Sequence, residues 1–423
     1  MTTAHALAHL PLLLVALAGC PADSPDELDA PGTAGTEGGS DHGDDSSGAD
    51  TEGGNTDTGS ESNAESGTAP PTECSTSLAS DVALRDIALF QVLGAPVLAD
   101  SRPVSAEVPL VPLVADRAAV LRASLSLPAD GTPRSLAVVV RMQGPGGEET
   151  FRDQRMVDAS GGPPFVVQIP ADVVQQDTTY SVSVVECGEF SGGAPSPQAR
   201  FPQRGEATLP TVSTGPIKIH FVPFEVGGFV PDTSEAVLDG FRDAVLAVYP
   251  ATAVELSVGP VVPDQSGGVL DMGDLLVELG VHQEQDGAAP DVYYYGLVTG
   301  AATREEFCSD CPTGTSEAGL GNRAAFALGA AFADQRAEDT LIHELGHMHG
   351  LLHAPCGDPD DPDPRFPHPG AQITTEGYDF RTGQFVPADH IDMMAYCYPR
   401  WVSDYSYRKL VDWVQLAQTW AGD

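Results

Sequence analysis

The sequence predicts a layered α/β domain over residues 206–423, preceded by an all-β sandwich over 74–205 and by a disordered acidic linker over 21–73. Three observations predict it. Residues 21–73 carry fourteen acidic residues, no Lys or Arg and almost nothing apolar. Residues 74–205 hold short alternating or β-branched runs between Gly and Pro clusters. From about Pro216 strand-like and helix-like periods alternate.

Residues 10–18, LPLLLVALA, are too brief to span a bilayer and have the length of a signal-peptide apolar region. Leu17-Ala18-Gly19-Cys20 follows, which resembles the bacterial lipobox, although MTTAHALAHL has no Lys or Arg ahead of the apolar run. Residues 1–20 are thus expected to be a lipoprotein leader. The resemblance implies a lipidated Cys20 and a cell-surface or outer-membrane address, with a free secreted or periplasmic protein as the alternative. The linker has no apolar area to offset its chain entropy and is expected to be a self-repelling tether.

Net charge is −41 with only two lysines, Lys218 and Lys409. No basic patch exists to neutralise phosphates, so nucleic acid is excluded as a partner. Docking on anionic lipid is disfavoured as well, which leaves the lipid on Cys20 as the only expected membrane contact. Such acidity keeps a chain soluble, and a monomer is expected. Besides Cys20 six cysteines remain, and export permits disulfides. Six allow fifteen pairings; the preferred set, each pair within one structural unit, is Cys74 with Cys187, Cys308 with Cys311 as a local loop staple, with a redox or metal motif as its alternative, and Cys356 with Cys397.

In residues 74–205, LAVVVRM (136–142), FVVQI (165–169) and TYSVSVVEC (179–187) read as strands of an immunoglobulin-like or fibronectin-like sandwich. Its function is not written in its residues; a spacer, a substrate-binding module and an inhibitory pro-segment are the roles considered, in that order. Beyond it, strands are expected at 217–224, 253–262 and 291–298, with helices at 234–249 and 271–283. Residues 323–332 read as an edge strand. Asp334 then suits the cap of a helix whose first turn carries Glu338 and Asp339. Leu341, Leu345, Met348 and Leu352 line one face of that helix, which is assigned to the core.

That helix carries His343-Glu344-Leu345-Gly346-His347-Met348-His349-Gly350-Leu351-Leu352-His353. Residues four apart share a helix face, so His343 and His347 offer two imidazoles to one metal, with Glu344 beside them as a base. Gly350 permits the left-handed conformation that ends a helix, and His353 then supplies a third nitrogen. Three protein ligands leave a position for water, the arrangement of a catalytic rather than a structural Zn2+. A chance HExxHxxGxxH in a chain of this length is roughly a one-in-ten-thousand event.

Asp392-Met393-Met394-Ala395-Tyr396 lies downstream. HExxHxxGxxH followed by Met two residues before Tyr resembles the metzincin clan of zinc peptidases, over roughly residues 216–423. The resemblance implies an α/β zincin (metzincin-like) catalytic domain with one catalytic Zn2+ on His343, His347 and His353. It also implies Glu344 as general base, Met394 in a turn beneath the metal, and Tyr396 as the tyrosine that approaches the metal in astacins and serralysins. Asp392 stands where many members have Ser, and Ala354-Pro355 follows the third His, so no subfamily is assigned. The segment 396–405 is similar to bacterial secreted metzincins, including lipoproteins acting on glycoproteins. A thermolysin-type site would need a downstream Glu ligand on a second helix, and Glu376 lies in a Gly- and Pro-rich loop.

The expected function is a surface-anchored zinc endopeptidase acting on extracellular proteins or glycoproteins, with a protein or peptide substrate added to the edge strand 323–332. The alternative is an inactive metzincin-fold binding or adhesive lipoprotein, against which the retained Glu344 speaks. His349 points about 200° around the helix from His347, to the surface or an outer contact rather than to the metal. His220, His282, His368 and His390 lack metal spacing. Asp358, Asp360, Asp361 and Asp363 have the acidity for Ca2+, but their prolines favour a stiff solvated loop. Tyr293, Tyr294 and Tyr295 are read as strand packing.

Overall fold

The computed structural model describes residues 73–105, 111–129, 131–188, 193–263, 270–307, 313–317 and 322–420. The expected leader with Cys20, residues 21–72 of the linker, and Cys308 and Cys311 lie outside the described residues. No described helix is long and apolar enough to cross a membrane.

Residues 74–208 form two antiparallel sheets. One is built on Cys74–Leu78, Thr179–Cys187, Arg134–Gly144 and Gly147–Val157, in that order, and the other on Arg102–Pro103, Gly94–Ala99, Ala83–Phe90, Ala119–Ser126 and Phe165–Ile169. The period of two decides what they bury. Leu136, Val138, Val140 and Met142 point inward from one sheet, and Leu121, Ala123 and Leu125 do so from the other, into a single shared core. Cys74 and Cys187 stand opposite each other in register and are joined by a disulfide.

Beyond residue 216 a five-stranded sheet runs in the order Val254–Val258, Ile217–Phe224, Val292–Val298, Phe326–Ala330 and Gly314–Ser316. The first four are parallel and the last is antiparallel. Its inner strands are apolar on both faces because helices cover both. Ile219, Phe221, Tyr293 and Tyr295 meet helices Glu235–Val248 and Gln335–Met348 through Phe241, Val245, Leu341 and Leu345. On the opposite face Val222, Phe224, Tyr294 and Val298 meet Leu276 and Leu279 of helix Met272–Gln285. The three consecutive tyrosines thus alternate between two cores, and all three are buried.

Two sequence expectations are corrected here. Phe326–Ala330 is not at the edge, because the short strand Gly314–Ser316 pairs with its outer side. Three small residues, Gly-Thr-Ser, carry too little apolar pattern to be legible as a strand. Leu352 is not on the core face. The helix ends at Met348 and Leu352 is exposed, whereas Leu341, Leu345 and Met348 are fully buried.

A C-terminal helix, Asp404–Trp420, also escaped the sequence reading, although Tyr407, Leu410, Val411, Val414 and Ala417 repeat at helical spacing and are buried. The two cores are not sealed from each other at residue 205. Val92, Leu93 and Val111 belong to the same cluster as Phe221 and Leu345.

Candidate metal centre

The helix that carries the long motif starts at an Asp334 cap, whose Oδ1 accepts the backbone N–H of Ala337 at 3.0 Å. Arg304 holds the same carboxylate through two hydrogen bonds of 2.7 Å. Every residue from Thr340 to Met348 is buried, so His343, Glu344 and His347 sit inside the protein rather than on a wet face.

The other end is a glycine-terminated reversal. Gly350 has φ +72°, its N–H donates to His347 O at 2.8 Å, and the N–H of Leu351 donates back to Gly346 O at 3.0 Å. Both bonds satisfy carbonyls that the ending helix would leave open. The reversal brings His353 beside the helix it has just left. Nε2 of His347 is 3.1 Å from Nε2 of His343 and 3.1 Å from Nε2 of His353.

The outward nitrogens explain why those three atoms converge. Nδ1 of His343 donates to Met393 O at 3.0 Å, Nδ1 of His347 to Leu351 O at 2.9 Å, and Nδ1 of His353 to Asp360 O at 2.9 Å. A carbonyl oxygen only accepts, so each Nδ1 carries the proton and each Nε2 turns a lone pair inward. Burial also disfavours an added proton. It pushes His343 well below the usual imidazole range, His347 down to about 3, and His353 down. Three neutral imidazoles aim lone pairs at one another with no proton between the nitrogens, an arrangement that a cation relieves. Among the described residues this is the one group of His, Cys, Asp or Glu donors with metal-holding geometry.

Beneath the helix runs the Met393-Met394 turn. Asp392, fully buried, builds it: Oδ1 accepts the N–H of Met394 at 2.9 Å and Oδ2 that of Ser403 at 3.0 Å. Its burial raises the carboxyl pKa against the pull of these bonds. The sulfur of Met394 lies so close to Gly346 that a β-carbon there would collide with it. Gly346 therefore lets the turn approach the backbone of the helix.

Tyr396 follows the turn, and its hydroxyl donates to Nε2 of His353 at 3.1 Å. The disulfide Cys356–Cys397 ties the stretch after His353 to the stretch after Tyr396. Across the helix, strand Gly314–Ser316 rests on Glu344. A β-carbon on Gly314 would stand 2.6 Å from Glu344 Oε1 and 2.8 Å from Thr340 Cγ2.

The fold thus brings His343, His347 and His353 together with the Tyr396 hydroxyl, while Glu344 is buried on the same helix and Met394 packs on it at Gly346. It does not bring Glu376 there, since that side chain pairs with Arg122. His349 lies outside the triad, as its position on the helix implies, but in the core rather than at the surface: it is 2% exposed, stacks on Tyr293 at 4.8 Å and donates from Nδ1 to Leu345 O. Burial holds its pKa down at about 4. His220 bonds Ser257 and His368 bonds Asp404, both away from the triad.

The acidic loop is corrected in part. Asp358, Asp360 and Asp361 are exposed, but Asp363 is buried against Lys409 and Tyr405. Its carboxylate is neutralised by the protein rather than offered to Ca2+. Sequence spacing missed Asp392, Gly314 and Lys409, whose contacts span the sheet edge or the C-terminal helix. Only the Asp directly before Met393-Met394 carried a signal, as a turn-building residue.

No curated protein matches this chain. Residues 309–400 are similar to the family described as Peptidase M66, a stretch that holds the triad, Glu344, the methionine turn and Tyr396, and with the geometry of the three histidines this similarity supports a metallopeptidase.

Proposed function

We propose that this chain is a zinc-dependent endopeptidase on a metzincin-like frame, acting on extracellular proteins or glycoproteins. The observation that carries the reading is the set of three Nε2 lone pairs, fixed by three Nδ1–carbonyl bonds, with the buried carboxylate of Glu344 on the same helix. Three imidazoles and an adjacent carboxylate suit zinc better than a harder ion, which would favour oxygen donors. When bound, zinc supplies Lewis acidity, which activates water at neutral pH and polarises a scissile carbonyl.

The protein's own groups do the rest. Glu344 accepts the proton of the attacking water and returns it to the leaving amine nitrogen. It is held for this by the helix behind it and by Gly314 in front. Tyr396 directs its hydroxyl at the triad and donates to the oxygen that becomes negative during attack. The antiparallel edge strand Gly314–Ser316 offers the backbone on which an extended peptide adds as a further strand.

The surface address rests on the leader and the lipobox-like Leu17–Cys20. The disulfides Cys74–Cys187 and Cys356–Cys397 agree with an oxidising compartment. Cleavage of a diverse peptide library by the zinc-loaded chain, beside Glu344→Gln, tests the proposal. Glu344→Gln is expected to retain zinc and lose activity by about 10²- to 10⁴-fold. Equal cleavage by both proteins would sink it.

A further inference from the structure

We infer that the N-terminal β unit is a fixed part of the metal centre's scaffold, and that Arg117 is the positioning residue through which it holds the metal-bearing helix. The inference rests on the metal-site part of the reading above and not on the peptidase reaction. A spacer or a removable pro-segment would touch the catalytic part through a separable surface. The contacts here run instead from half-buried Arg117 and buried Val92 through buried groups to His343 along two routes.

The first route starts at Arg117, in the turn before strand Ala119–Ser126. Its guanidinium donates to Tyr249 O at 2.6 Å and to Leu246 O, the carbonyls that end helix Glu235–Val248. A cation on open C-terminal carbonyls complements the helix dipole and satisfies acceptors that would otherwise be stranded. Tyr249 is fully buried, and its hydroxyl donates to Ile342 O at 2.7 Å, in the middle of the metal-bearing helix and one residue before His343. Moving Arg117 therefore moves the group that pins the helix next to its first ligand.

The second route starts at Val92. Its carbonyl accepts the indole N–H of Trp401 at 3.1 Å and the backbone N–H of Tyr378 at 3.0 Å. Trp401 pairs with Asp392 in a short parallel ladder, and Asp392 builds the turn whose Met393 O accepts from Nδ1 of His343.

The two routes share one anchor. The side chain of Gln91 is 1% exposed; its amide donates to Arg117 O at 2.8 Å and to Val114 O at 2.9 Å, and its oxygen accepts from Val114 N–H. Gln91 thereby locks the Arg117 turn to the strand end that presents Val92. The β unit thus grips the helix and the methionine turn from one rigid corner.

The test compares zinc affinity, by chelator competition on the full chain, with thermal stability. Arg117→Met and Trp401→Phe are expected to weaken zinc binding by about fivefold or more, below the tenfold or more that follows loss of a group bonded directly to a ligand. Arg117→Lys should recover part of the loss. Val138→Ala, in the core of the β unit and remote from both routes, should lower the melting temperature and leave zinc affinity within about twofold of wild type. Should Arg117→Met not fold, Arg117→Lys and Trp401→Phe decide the matter. Wild-type zinc affinity in a folded Arg117→Met, or in both Arg117→Lys and Trp401→Phe should it not fold, zinc loss in Val138→Ala matching theirs, or a wild-type chain that takes up no zinc would overturn the inference. A chain that shows these zinc dependences but cleaves no peptide would overturn the peptidase reading and leave the scaffold role standing.

Discussion

The ammonium of Lys409 lies 2.9 Å from Oδ2 of Asp363, and the hydroxyl of Tyr405 donates to the same oxygen at 2.7 Å. Both donors belong to the C-terminal helix, while Asp363 closes the loop that wraps His353 and whose Asp360 O orients that imidazole. The backbone N–H of Asp363 also donates to His353 O at 2.8 Å. One of the chain's two lysines is therefore used to fix the loop of the third histidine.

That pair gives a pH dependence with a definite sign. Burial raises the Asp363 pKa, but the hydrogen bonds from Lys409, Tyr405 and the Arg365 N–H outweigh it and bring it to about 2. A carboxyl whose folded value lies below its unfolded value stabilises the fold above the unfolded value and loses that contribution as pH falls through the folded one. The contribution, about 2 kcal/mol, should vanish between about pH 4 and pH 2. Asp363→Asn should flatten the acid limb of stability measured by urea unfolding at stepped pH. An unchanged acid limb would show that the pair does not carry it.

Gly314→Ala should impair activity through contact alone. Its β-carbon would press on Glu344 Oε1 and Cγ, so either the carboxylate or the edge strand has to move. A misplacement near 1 Å costs about 10²-fold in rate. Steady-state kinetics should show the loss mainly in kcat, with zinc content unchanged.

Removing the Cys356–Cys397 bridge should loosen His353 and Tyr396 together, since the bridge joins the residues that follow each. Closing this loop of 41 residues stabilises by about 3–4 kcal/mol in the chain-entropy account. The double Ser variant, or mild reduction of the native chain, is expected to lower the melting temperature and speed zinc loss to a chelator. Zinc retention at the native rate would contradict this.

Tyr396→Phe keeps the ring and removes the hydroxyl that reaches His353 Nε2. If the hydroxyl steadies charge during attack, kcat should fall by about 10²-fold with KM and zinc stoichiometry nearly unchanged. A fall confined to KM would assign Tyr396 to substrate binding instead.

The sequence by itself determined what depends on neighbours along the chain. The helix through His347, its Asp334 cap and the Gly350 reversal are local, set by hydrogen bonds within a few residues, and so were legible. The strands at 217–224, 165–169 and 179–187 were readable for the same reason, because alternation and β-branching act within one strand. Cys74 with Cys187 and Cys356 with Cys397 belonged to the preferred set that keeps each pair within one unit and Cys308 beside Cys311.

Only the tertiary structure decided which strand closes the sheet, where His349 points and what Asp363 meets. Gly314–Ser316 becomes a strand because Phe326–Ala330 gives it a partner, not because three small residues prefer extended backbone. His349, which helical spacing turns away from His347, packs inside on Tyr293, a residue 56 positions away, rather than facing solvent. Arg117 and Val92 reach the centre through carbonyls, which leave no mark on residue type. Ligand spacing is a property of one helix and the reversal that follows it, and can be read along the chain. The orientation of those ligands depends on backbone carbonyls, those of Leu351 and Asp360 a few residues along the chain and that of Met393 fifty residues away, which only folding turns toward the imidazoles.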